Sequence, residues 1–204
     1  ADSYITNATP TIKFTVTDAD SGVNSGTIAM KLDGTAVTVT KTAITGGYEC
    51  SYKPTTALKD GSHTISVTAS DNDGNAASAK TATFTVDTVP PTLTITAPEE
   101  GLVTNKTTIT VTGKTDDATS KPVTVTVNGA AATVGTDGFF SKDVTLTNGA
   151  NKITIIAKDK AGKTTTITRN VTLDTAAPVI KSITLTPNPV DCGKTFVIAV
   201  EITD

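Results

Sequence analysis

The chain has 204 residues, a formal net charge of −3 and no tryptophan. So small a charge with no basic cluster lacks the footprint of a nucleic-acid binder, and no apolar stretch reaches the ~20 residues with which a helix spans a bilayer. More than one residue in five is threonine, alternating with Val, Ile, Leu and Ala. Branched side chains of this kind suit a pleated, half-buried surface, so the expectation is an all-β chain with no nucleic-acid partner and no membrane insertion in this stretch.

Residues 1–87 read as one unit. Leu32-Asp33-Gly34 marks a tight hairpin turn in which glycine supplies positive φ. After Gly47 comes a strand on which Tyr48, Cys50 and Tyr52 share a face, expected to turn toward the core. Leu58, the Asp60-Gly61 turn and an alternating strand with His63, Ile65 and Val67 at one parity lead to Asp71 and Gly74. A last strand, Phe84-Thr85-Val86, runs into Asp87-Thr88-Val89-Pro90-Pro91. Proline has no amide hydrogen, fixes φ and holds the residue before it extended, so this junction should carry the chain stiffly from one sheet system to the next.

Residues 88–174 repeat the pattern in register. Leu146, Asn148-Gly149, the strand to Ala157, Asp159 and Gly162 answer to Leu58, Asp60-Gly61, the strand to Ala69, Asp71 and Gly74. Upstream, Val127-Asn128-Gly129 answers to Leu32-Asp33-Gly34, and Asp174-Thr175-Ala176-Ala177-Pro178 copies the junction. Seven strands are expected in the second unit: 92–97, 107–113, 121–127, 130–134, 138–146, 150–157 and 164–173. Parity names its inward faces as Leu93 and Ile95, Ile109 and Val111, Val123, Val125 and Val127, Ile153 and Ile155, Val171 and Leu173. Seven short strands in fewer than 90 residues predict a β-sandwich.

Ile5-Thr6-Asn7 aligns with Val103-Thr104-Asn105, so the first unit is expected to lack a counterpart of the opening strand at 92–97. Residues 175–204 should supply the first two strands of a third unit, 180–186 and 194–203, around a Pro187-Asn188-Pro189 turn. Phe196, Ile198, Val200 and Ile202 would share one face of the second. The expected architecture is an elongated tandem of sandwiches with about seven antiparallel strands each. Cys50 and Cys192 fall in different units and are expected as free thiols, since a disulfide tolerates only ~4–7 Å between Cα atoms.

The run Leu58 to Asp71, with Gly74-Asn75 and Asp87-Thr88-x-Pro-Pro after it, resembles the bacterial immunoglobulin-like repeats found in tandem in large secreted and cell-surface proteins. The second unit departs from that pattern with Asn151 and Lys163 in place of His63 and Asn75. The resemblance implies an immunoglobulin-like sandwich outside the cell, used as a spacer, stalk or adhesive module, with neighbouring domains of the same parent chain as its partners. A ligand-binding module for glycan or host protein, or an accessory domain of a secreted enzyme, fits the same residues, because such sandwiches host many functions.

Chemistry of the catalytic kind is not indicated. His63 stands alone near a turn with no nucleophile and acid to converge on it, and phosphate loops and Cys/His metal spacings do not occur. Phe139 and Phe140 are adjacent, so one of them must point outward. Lys13 and Asn170 fall at outward parity and so do not suit an amide crosslink inside the core. The sequons at Asn7, Asn105 and Asn170 have a plainer reading at the first two, a capping asparagine in a turn.

Carboxylates suggest one site. In a seven-stranded sandwich the loops after the second and sixth strands lie at the end where the chain enters, which places Asp116, Asp117 and Asp159 near Asp87. Four carboxylates at a hinge would suit Ca²⁺, a hard cation that takes six to eight oxygens. Lys114, Lys160 and Lys163 are placed to neutralise the same groups without an ion, and Asp is also common in turns for its bonds to nearby amides. The first unit's matching loops hold Asp18, Asp20, Asp71 and Asp73. The surplus pair of strands at 180–203 is expected to pack on a neighbour, for instance by donating a strand to another molecule's first unit in a homo-oligomer made by truncation.

Overall fold

The structure, a computed structural model, describes residues 3–186 and 197–203. Its first eight strands are β1 (Ser3–Ile5), β2 (Ile12–Thr17), β3 (Ala29–Leu32), β4 (Thr35–Val37), β5 (Thr40–Ile44), β6 (Gly47–Tyr52), β7 (Gly61–Thr68) and β8 (Lys80–Val86). They form a five-stranded sheet in the order β1-β8-β7-β3-β4 and a three-stranded sheet in the order β2-β6-β5. Nine more follow: β9 (Thr92–Ala97), β10 (Leu102–Thr104), β11 (Thr108–Asp116), β12 (Thr124–Val127), β13 (Ala130–Ala131), β14 (Thr133–Val134), β15 (Phe139–Thr145), β16 (Gly149–Lys158) and β17 (Thr164–Leu173). Their sheets run β10-β17-β16-β12-β13 and β14-β15-β11-β9. The last two strands, β18 (Val179–Thr186) and β19 (Val197–Thr203), pair with each other alone among the described residues.

Alternation along the strands makes the core. In the second sandwich Leu93, Val111, Val123, Val125, Val127, Phe140, Ile153, Ile155, Val171 and Leu173 are buried in one cluster, with Ile95 and Ile109 packed against it. These are the faces that parity names, because a strand turns every second side chain to the same side. Phe140 is 3% exposed and Phe139 54%, which settles which of the adjacent pair points out. The first sandwich has two smaller clusters. Cys50 is buried with Val23, Ile28 and Ala69 against a half-buried Tyr48, while Tyr52 packs beside Leu32, Phe84 and Val86. The face shared by Tyr48, Cys50 and Tyr52 is therefore a core face.

Two hairpin turns repeat atom for atom. Asp33 and Asn128 take φ of 51° and 48° before Gly34 and Gly129 at 81° each, the left-handed pair that a two-residue hairpin requires. Each uses its side-chain oxygen to accept a backbone amide from the neighbouring strand, Thr64 at 2.8 Å and Thr154 at 2.8 Å.

The expectation of purely antiparallel sheets needs one correction in each sandwich. β1 pairs in parallel with β8, and β10 in parallel with β17. After β9 the chain turns through Pro98 and crosses to the other sheet, so the opening segment of the second sandwich lies in both layers. The expected strand at 130–134 likewise divides at Ala132, β13 pairing with β12 and β14 with β15. The strand expected from Lys121 begins only at Thr124, beyond Pro122, which cannot donate to a ladder.

Cys50 is a free, buried thiol. Cys192, the 187–189 turn and Phe196 lie outside the described residues. Lys13 is exposed and ion-paired with Glu49 at 3.4 Å, and Asn170 bonds Glu100 through its Nδ2 at 2.6 Å, so both stand outside the core as parity requires. Asn7 caps its turn by accepting the Thr9 amide at 2.9 Å. At the equivalent turn Thr104 takes that role from Asn105, its Oγ1 accepting the Lys106 amide at 3.2 Å.

Candidate metal centre between the two sandwiches

Three strand ends converge here. Asp87 follows β8 directly, Asp117 follows β11 and Asp159 follows β16. All three are buried, Asp87 completely, and one carboxylate oxygen from each lies within 4.8 Å of the others. No other such group of acidic, histidine or cysteine side chains occurs among the described residues.

Each carboxylate is fixed by backbone amides through its Oδ1. Asp117 accepts from Thr119 and Ser120, both at 2.7 Å. Asp159 accepts from Lys163 at 2.9 Å, and Asp87 from Val89 at 3.2 Å. These are the Asx turns expected of aspartates in loops. They consume only one oxygen of each residue. The hydroxyl of Ser120 donates to Asp87 Oδ2, and Asp159 Oδ2 is buried with no partner.

The lysines do not neutralise the cluster. Lys114 lies over the Phe139 ring with its ammonium 4.9 Å from the centroid, and Lys160 lies 5.5 Å from the Tyr4 ring centre. Lys163 contributes its backbone amide, and among the described residues no cation forms an ion pair with Asp87, Asp117 or Asp159. Two unit charges 4.8 Å apart repel by roughly 3.5 kcal/mol at an effective dielectric of about 20. Three such pairs sum to roughly 10 kcal/mol, within the range of a whole domain's stability. A buried cluster of this kind calls for a compensating positive charge.

Asp116 does not join. As the last residue of β11 it alternates outward from buried Thr115 and pairs with Lys121 at 2.8 Å, an exposed bridge that keeps its carboxyl below the ordinary range. The next residue, Asp117, leaves the strand and turns inward. Nor do the first sandwich's carboxylates meet. Asp18 Oδ2 accepts the amides of Asp20 and Gly22, while Asp71 bonds both the amide and the side chain of Asn75. Ser120, whose hydroxyl bonds into the cluster at Asp87, was not anticipated from the sequence. Its signal was the spacing Asp117-x-x-Ser120, an aspartate whose side chain caps the amide three residues on.

Residues 1–88 match the family described as Bacterial Ig-like domain, and residues 91–175 match Glucodextranase, domain B. Bacillopeptidase F of Bacillus subtilis (strain 168) is 36% identical over 126 residues, which cover 62% of this chain and 9% of that protein's length. Among solved structures, a three-immunoglobulin-domain fragment of titin aligns over 89% of this chain and 64% of its own, at 12% identity and a TM-score of 0.51. The fibronectin(III)-like modules of Clostridium thermocellum CbhA align over 85% of this chain and 90% of theirs, at 17% identity and a TM-score of 0.49. The titin alignment bears on the fold alone, and it agrees with the sandwiches described above. Over residues 1–88 the chain thus matches the bacterial immunoglobulin-like domains, the family that the run from Leu58 to Asp71 resembles.

Proposed function

We propose that the chain is a spacer segment of an extracellular bacterial protein, with one sandwich over 1–87, a second over 88–174 and the start of a third from 175. The joint between the first two is a rigid coupling held by Ca²⁺ on Asp87, Asp117 and Asp159. The observation that carries this reading is the buried, unpartnered Oδ2 of Asp159, beside two more buried carboxylates at the point where one sandwich hands the chain to the next. Carboxylate oxygens are hard donors, and water would complete the six to eight that calcium takes. Because two ligands belong to the second sandwich and one to the end of the first, the ion would tie the units across Val89-Pro90-Pro91.

The test is calcium titration of the full chain by calorimetry, with small-angle scattering before and after. Heat of binding together with a narrower spread of inter-unit distances supports the coupling. No heat and an unchanged scattering curve would leave three capped turns.

The alternative, a binding module, has one observation in its favour. An open groove of about 450 Å³ lined by Lys114, Asp116, Lys121 and Asp137 adjoins the exposed ring of Phe139, and its size lies within the range of small-molecule sites. Glycan-array binding lost on Phe139→Ala would favour that reading.

A further inference from the structure

We infer that residue 163 governs whether the cluster of Asp87, Asp117 and Asp159 is open to a cation, lysine leaving it open where asparagine would close it. This rests on the calcium coupling proposed above. The loop after β16 and its counterpart after β7 are the same turn, bond for bond. Asp71 and Asp159 each donate a backbone amide to the carbonyl four residues on, that of Asn75 and of Lys163, at 3.1 Å. Gly74 and Gly162, with φ of 89° and 90°, each donate back to the carbonyl of that aspartate at 3.3 Å. The aspartate's Oδ1 then accepts the amide of the fifth residue, Asn75 at 2.7 Å and Lys163 at 2.9 Å.

The loops part company at the fifth side chain. Asn75 folds back and donates from Nδ2 to Asp71 Oδ2 at 2.7 Å, so both oxygens of Asp71 are taken. Lys163 forms no ion pair with Asp159, whose Oδ2 stays buried and unpartnered. The second unit's departure from its repeat pattern at this position is thus what leaves that oxygen available within the cluster. Ser120 does not close the site in the same way. Its hydroxyl donates to Asp87 Oδ2 but also carries lone pairs, so a turn about its C–O bond presents a cation with an oxygen in place of a proton. An amide NH₂ has only hydrogens to offer. Asparagine at 163, set by the same backbone as Asn75, would put such a donor on Asp159 Oδ2, and a cation would have to displace it. Charge-assisted hydrogen bonds to ligating groups shift an equilibrium by about tenfold to a hundredfold.

The test compares the unaltered full chain with Lys163→Asn and Lys163→Ala, by calcium calorimetry and by melting in a chelator. Residue 163 is half-buried, in a loop whose counterpart already carries asparagine, so neither substitution should disturb the fold. Lys163→Ala removes the ammonium and supplies no donor. Loss of a positive charge near acidic groups favours a cation, so this variant should bind calcium at least as tightly as the unaltered chain. Lys163→Asn should bind about tenfold to a hundredfold more weakly than Lys163→Ala. In chelator it should melt several degrees higher, because the bare oxygen gains a partner. Equal affinity of the two variants would overturn the inference and leave the calcium coupling standing. A loss shared by both would trace the effect to the lysine side chain, and weaker binding without the rise in chelator would show that the amide does not reach Oδ2. Either result overturns the inference. An unaltered chain that binds no calcium would end the coupling itself, and the role of residue 163 with it.

Discussion

Replacing Asp159 by asparagine should change stability in opposite directions with and without calcium. Asp159 Oδ1 accepts the Lys163 amide, a bond that an asparagine oxygen keeps. The buried, unpartnered Oδ2 becomes an NH₂ group facing the carboxylates of Asp87 and Asp117. Two of the three repulsions disappear, each worth roughly 3.5 kcal/mol at a separation of 4.8 Å under the screening used above. One charge-assisted hydrogen bond takes their place, worth about 1.5–3 kcal/mol. In a chelator the second sandwich of Asp159→Asn should therefore melt higher than the unaltered chain, by of order 10 °C. With calcium at a hundred times its dissociation constant the unaltered chain gains about 2.7 kcal/mol, and the variant, short of one charged ligand, gains much less. Scanning calorimetry of both chains in chelator and in calcium reads all four values. An unaltered chain indifferent to calcium, with a variant that melts lower in both buffers, would refute the reasoning. Asp159 would then be a structural acceptor whose charge is balanced within the protein.

Three further outcomes are expected. His63 sets Nδ1 against Asp33 Oδ2 at 2.7 Å and Nε2 against the carbonyl of Lys59 at 2.8 Å, so both nitrogens donate and the ring is held protonated. Burial opposes the charge of each partner, but the hydrogen bond between them outweighs it, raising His63 above its ordinary 6.5 and lowering Asp33 below 3.8. The pair's contribution is thus complete between those ordinary values. It is lost as pH rises through the elevated value of His63 or falls through the depressed value of Asp33, and a melting profile of the first sandwich that His63→Gln leaves unaltered would contradict this. Gly113→Ala should cost about 3 kcal/mol in urea unfolding, because its Cβ would run into the Thr94 carbonyl and meet the Phe140 ring at 2.7 Å. Cys50 is fully buried and burial pushes its thiol up, so a thiol reagent should reach it only as the first sandwich unfolds, and rapid labelling of Cys50 in the native state would be the contrary result.

Much of the fold was legible because its determinants are local. The turns at Asp33-Gly34 and Asn128-Gly129 declare themselves through residues that tolerate positive φ, and inward faces follow from a period of two. What escaped depends on which sheet a short segment joins. Leu102–Thr104 is too brief to show a period, and its parallel pairing with β17 is decided about 70 residues downstream. The convergence of carboxylates was legible to within one residue. Strand direction placed the loops of Asp117 and Asp159 beside Asp87, but choosing between Asp116 and Asp117 required knowing that β11 ends at Asp116. The lysines misled because charge alone was weighed, while Lys114 and Lys160 lie over aromatic rings.

The parallel pairing of β10 with β17 also bears on how the chain would answer to tension. The chain enters the second sandwich upstream of β10 and leaves it at the end of β17, so a pull on the two ends slides these neighbouring strands past one another. Their hydrogen bonds are then strained together, whereas a hairpin pulled at its open end gives way one bond at a time. The pairing of β1 with β8 repeats the arrangement in the first sandwich. Each unit would thus resist extension at a patch three residues long, which in the second sandwich takes the load after β9.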